Sequence, residues 1–125
     1  MAAGKASPIV EAIAVAQEGT TGEIRVHLSK RLWEPDARRR AEKLFHRIGL
    51  DQTKDRNTVL IYVNLRRRKF ALVGDDAIHA KAGQRFWDDL ARRLSVDLRA
   101  TNPEKAIALA VLRVGESLRT AFPAV

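Results

Sequence analysis

The chain has 125 residues, 46% hydrophobic and 30% charged, which fits one globular domain with a packed core and excludes wholesale disorder. There is no cysteine, so a disulfide framework, thiol catalysis and a thiolate zinc site are excluded. The net charge of +8 invites a nucleic-acid reading, but the basic excess is spread over both halves, and its densest runs, Arg38–Arg40 and Arg66–Lys69, read as solvated surface; no specific nucleic-acid partner is expected.

The opening MAAGKASPIVEAIAV lacks a charged leader followed by a clean apolar segment, because Glu11 interrupts it, and no stretch approaches the ~20 apolar residues that cross a bilayer. The expectation is a soluble, cytoplasmic chain without a membrane span; a piece of a longer, anchored protein would read the same. Ser7 and Pro8 form an N-cap and first-turn pair, Gly19 offers a stop, and Ile9, Ala12, Ile13 and Ala16 recur at helical spacing between them. Gly22–Lys30 then alternates, with Ile24, Val26 and Leu28 on one side and Glu23, Arg25, His27 and Ser29 on the other. That is an edge or partly covered strand, and His27 reads as an ordinary exposed histidine.

Pro35 suits the first turn of a second helix, with Asp36 placed against its dipole and Gly49 as the residue that ends it. Ala37, Ala41, Leu44, Phe45 and Ile48 mark the buried stripe, and Arg38, Arg39, Arg40, Glu42, Lys43 and Arg47 are left to solvent. Thr58–Leu65 and Lys69–Gly74 are apolar, β-branched runs that read as strands buried on both faces. Only Arg66, Arg67 and Arg68 separate them. A linker that short holds no crossover helix, so the pair is an antiparallel hairpin. The strand, helix and strand before it form a β-α-β unit, which is right-handed and parallel in nearly all cases. Both connections together bring Glu23, Asp55, Asn57, Asp75 and Asp76 to one end of the sheet.

After the hairpin, Gly83 precedes a long helix with Phe86 or Trp87, Leu90, Ala91, Leu94 and Leu98 on its buried face. Thr101, Asn102 and Pro103 open the last helix, whose stripe is Ile107, Ala110, Val111, Val114 and Leu118. The order α-β-α-β-β-α-α gives an α/β protein, a three-layer α-β-α sandwich with a mixed sheet of three strands or, with a short extra one, four.

Several segments occur together: TTGEIRVHL, a helix ending in Gly49-Leu50, RNTVLIYVNLRRRKFALVGDDAIHAKAG with Phe86-Trp87, and a closing helix ending in Phe122-Pro123. In this order they resemble the TPM domain, over roughly residues 9–123 of a single domain spanning 1–125. The resemblance implies an α-β-α sandwich, and it implies two activities attached to the family, acid phosphatase activity and divalent metal binding. Two positions depart from the pattern: Thr58 stands where a glycine often follows Arg-Asn, and Ala77 where one often follows Gly-Asp-x.

Clustered carboxylates suit a hard cation, since calcium takes about six to eight oxygens and magnesium prefers water with one or two carboxylates. Glu23, Asp55, Asn57, Asp75 and Asp76 are therefore candidate ligands for calcium or magnesium. The same acids also fit a second reading, in which Arg56 and Arg25 neutralise them or they cap turns. For phosphatase chemistry the one acid-base arrangement is Asp75, Asp76 and His79; no P-loop and no Asp-x-Asp nucleophile motif is present. The expected function is a non-catalytic binding or accessory module for an unidentified protein partner, with weak divalent-cation binding. A metal-assisted acid phosphatase is the alternative, and nonspecific polyanion binding the third reading.

Overall fold

The structure, a computed structural model, describes residues 7–125, which form three strands and five helices. The strands are β1 (Glu23–Leu28), β2 (Thr58–Asn64) and β3 (Lys69–Gly74), in the order β1-β2-β3, with β1 parallel and β3 antiparallel to β2. Every residue of β2 is buried, as its unbroken apolar run requires of a central strand covered on both faces. Its side chains alternate between two cores. Val59, Ile61 and Val63 pack with Leu72 against α1 (Pro8–Ala16), α4 (Gln84–Ala100) and α5 (Pro103–Ala121), whereas Leu60 and Tyr62 pack with Ala71 and Val73 against α2 (Ala37–Arg47). This is the expected three-layer α/β sandwich with a mixed sheet.

Local chemistry sets the helix boundaries. The Ser7 hydroxyl accepts the Val10 N–H and Pro8 occupies the first turn of α1. Asp36 is the cap of α2, accepting the Arg39 N–H, so this helix starts at Ala37 and Pro35 lies outside it. Gly49, at φ 77°, ends the same helix in the left-handed conformation, and Ile48, placed on the buried stripe by periodicity, is exposed because the chain has already turned. Helices α1 and α5 cross where Gly115 leaves no room: a Cβ there would lie 2.6 Å from Ala16 Cβ and 2.7 Å from Ala16 Cα.

One helix was not foreseen. Residues Asp76–Ala82 form α3, a short helix with Asp75 as its cap and Ile78 as its buried anchor, which makes the order α-β-α-β-β-α-α-α. Seven residues are too few to display a periodic stripe in the sequence. Strand β2 stops at Asn64, leaving Leu65 exposed in the turn, and Ser29, assigned to the polar face of β1, is buried by the loop that follows. In place of a fourth strand, the described residues have an isolated bridge between Thr20 and Pro123. No helix among them is long and apolar enough to cross a membrane.

Candidate functional site

The register fixes what meets at the end of the sheet where β1 and β2 begin. Glu23 pairs with Thr58 across the parallel ladder and Val59 pairs with Gly74 across the hairpin, so the loop 51–57 that precedes β2 lies beside the corner between β3 and α3. The Asp75 N–H donates to the Thr58 carbonyl at 2.9 Å, and the Ala77 N–H to the Arg56 carbonyl at 3.1 Å. A free donor of the first turn of α3 is thereby satisfied by the loop.

At the centre of this corner is Arg56. Its backbone is left-handed, φ 50°, an arrangement that costs a side-chain-bearing residue energy and is held only when surrounding contacts determine it. The guanidinium grips Asp75 with two prongs, Nε to Oδ2 at 2.9 Å and Nη2 to Oδ1 at 3.0 Å, and Nη2 also reaches Asp76 Oδ2 at 3.3 Å. Asp75 Oδ1 additionally accepts the Asp76 N–H at 2.8 Å, which is its capping bond. The hydrogen bonds from Arg56 to Asp75, and the charge of that carboxylate, raise the guanidinium's pKa further above its already high value.

Apart from Asp76, the remaining predicted residues sit around this pair without joining it. Asp55 Oδ2 accepts the Thr21 hydroxyl at 3.0 Å, and buried Asn57 donates through Nδ2 to the same Thr21 oxygen at 3.0 Å. Thr21 is thus a bridging residue that sequence reasoning missed. Glu23 is exposed at the start of β1. Asp76 is 88% exposed at its side chain, against 4% for Asp75. The His79 ring is stacked on Trp87, centroids 5.8 Å apart and planes at 11°, while the His79 carbonyl accepts the Trp87 Nε1–H at 3.2 Å. The five candidate ligands therefore share one end of the sheet, as the topology requires. Yet among the described residues no three histidine, aspartate or glutamate side chains are grouped so as to hold a metal ion.

Beside the corner runs a groove of about 630 Å³ lined by Arg38, Arg39, Glu42 and Lys43 of α2 on one side, where Arg38 pairs with Glu42, and by Asp75, Asp76 and His79 on the other. At the opposite end of the sheet lies a second polar centre that the sequence did not disclose. Glu34, buried in the loop between β1 and α2, accepts through Oε1 from the Tyr62 hydroxyl at 2.7 Å, Asn64 Nδ2 at 3.0 Å and the Ser29 hydroxyl at 3.3 Å. Burial alone would raise the Glu34 carboxyl. The bonds from Asn64, Tyr62 and Ser29 and the charge of Arg31 outweigh it and hold the carboxyl below its ordinary value. One signal was available: a polar Asn64 inside an apolar strand has to find a buried partner.

The TPM domain profile matches residues 2–117. Among solved structures, the NMR structure of the BA42 protein from the psychrophilic bacterium Bizionia argentinensis is similar with a TM-score of 0.83 and 36% sequence identity, covering 92% of this chain and 79% of that one. No curated protein matches the chain.

Proposed function

Because this chain belongs to the TPM domain family, we propose that it is a non-catalytic binding or accessory module whose acidic end takes calcium or magnesium weakly. The observation that carries this reading is the state of Asp75. Both of its oxygens are engaged, by the Arg56 fork and by the cap of α3, so it is neither a free nucleophile nor a free base. The His79 ring is stacked on Trp87 and has no carboxylate partner among the described residues, so the carboxylate-oriented imidazole of acid-base catalysis is not assembled in this arrangement. A cation meets Asp55, Asp76 and Glu23 with a resident positive charge, Arg56, among them. It has to compete with that guanidinium and complete its shell with water and carbonyl oxygens, so weak affinity is the expected consequence.

The test is a calcium and magnesium titration followed by backbone amide NMR. Millimolar cation should shift Glu23, residues 55–57 and residues 75–77 together. Shifts confined to another loop would move the site, and no shift at all would remove the cation from the proposal. The metal-assisted phosphatase remains the second reading, favoured by the groove in which Arg38, Arg39 and Lys43 face Asp76 and His79. Under it, Asp75→Asn and Asp76→Asn each abolish turnover of p-nitrophenyl phosphate. Under the module reading, purified protein shows no turnover that tracks with either residue.

A further inference from the structure

The sheet is polarised along its strands. Acids gather where β1 and β2 begin; where they end, the chain carries Lys30 and Arg31 in one loop, Arg66–Arg68 in the hairpin turn and Lys69 at the start of β3. All six of these cations are exposed, and none takes part in a salt bridge among the described residues. Between them the same end displays large apolar side chains: Leu32 is 67% exposed, Trp33 74% and Leu65 43%. Scattered exposed leucines need no explanation, but a tryptophan and a leucine side by side at a loop tip, ringed by cations, are a different matter.

The two loops are locked together. Ser29 N–H donates to the Val63 carbonyl at 2.8 Å, Asn64 Nδ2 to the Arg31 carbonyl at 3.0 Å and Lys69 Nζ to the Glu34 carbonyl at 2.6 Å. Buried Glu34, immediately after Trp33, is tied to Tyr62 and Asn64 of β2. The fold thus places a buried carboxylate, with three hydrogen bonds on one oxygen, directly behind an apolar pair that points to solvent, and the entropy of ordering that loop is met whether or not anything binds.

We infer that this end of the molecule docks on an anionic lipid bilayer, with Trp33 and Leu32 entering the interface, Lys30, Arg31 and Arg66–Arg68 resting on the headgroups, and Lys69, tied to the Glu34 carbonyl, adding its charge behind them. Tryptophan favours the level of the headgroups, leucine the acyl boundary beneath, and clustered Lys and Arg are drawn to anionic lipid. A single-stranded nucleic acid is the competing polyanion, but it is held by several aromatic faces in a basic groove. Here Trp33 is accompanied by aliphatic Leu32 and Leu65, which cannot stack bases, and the nearby His27 ring is already stacked on Tyr62 at 5.4 Å. Bilayer contact at this end leaves the acidic end facing away from the membrane, and it does not depend on the cation reading.

The experiment uses vesicles of phosphatidylcholine with about one third phosphatidylglycerol, against phosphatidylcholine alone, with co-sedimentation and tryptophan emission as readouts. Trp87 is buried in the core, so the environment-sensitive signal belongs to Trp33. Anionic vesicles should sediment the protein and shift its emission to the blue, and the shift should vanish in Trp33→Phe. Each cation near the surface contributes about fivefold, so replacing Arg66, Arg67 and Arg68 together by Gln should weaken binding about a hundredfold. Leu32→Ala with Trp33→Ala should weaken it at least about tenfold. Absence of binding to anionic vesicles overturns the inference. So does binding that ignores Leu32 and Trp33 and is matched by an oligouridylate, because that is charge-driven adhesion to any polyanion. The blue shift is read on the unaltered protein, so the test survives a variant that fails to fold.

Discussion

Replacing Glu34 by Ala should be among the costlier single changes outside the apolar core. The side chain is 3% exposed and its Oε1 receives three hydrogen bonds. Asn64 keeps a second acceptor in the Arg31 carbonyl, but the Tyr62 hydroxyl, buried in the core, loses the charged acceptor it bonds at 2.7 Å. A stranded buried donor costs about 1–3 kcal/mol, and loss of a bond to a charged acceptor is of similar size, so Glu34→Ala should lose about 3 kcal/mol. Tyr62→Phe alone should lose about 1 kcal/mol. The double variant should lose about 1–2 kcal/mol less than the sum, because phenylalanine no longer presents the hydroxyl that Glu34→Ala strands. Urea unfolding monitored by circular dichroism measures all three. A loss below about 1 kcal/mol for Glu34→Ala, or strict additivity in the cycle, would refute the network as described. The carboxyl's pKa is lowered in the folded chain, so its contribution is complete above the ordinary glutamate value of about 4.3 and is lost as pH falls through the lower folded value. The stability advantage of the wild type over Glu34→Gln should therefore shrink on acidification below that range.

Gly115→Ala should destabilise by about 1–3 kcal/mol, read by thermal unfolding, since the added methyl meets the backbone of Ala16 and α1 has to move; an unchanged midpoint would mean that α1 is free to slide along α5. Arg68 holds φ 54° in the exposed hairpin turn, so Arg68→Gly should raise stability by up to about 1 kcal/mol, and a loss on denaturant unfolding would refute a strained turn.

What could be read from residues alone was whatever short-range chemistry decides. The Ser7-Pro8 cap, the alternation through Ile24 and Val26, the unbroken run of β2 and the three-arginine spacing of the hairpin set element types, strand order and the end of the sheet at which Glu23, Asp55, Asn57, Asp75 and Asp76 assemble. Each rests on periodicity or on a connection length, and those constraints act between neighbours in the chain. Helix α3 escaped because seven residues with one buried side chain, Ile78, carry no period.

The sequence allowed the acidic end to be a cation site or an internally neutralised corner. What the residues could not disclose is the placement of one long side chain, Arg56, whose left-handed backbone and two-pronged hold on Asp75 are fixed by contacts 19 residues away. Glu34 is a loop acid between Trp33 and Pro35 in the sequence, and it becomes a buried acceptor only because Tyr62 and Asn64 arrive from a strand 28 and 30 residues further on. Where a charged side chain ends up depends on the dielectric and the partners around it, and both exist only after distant segments have packed.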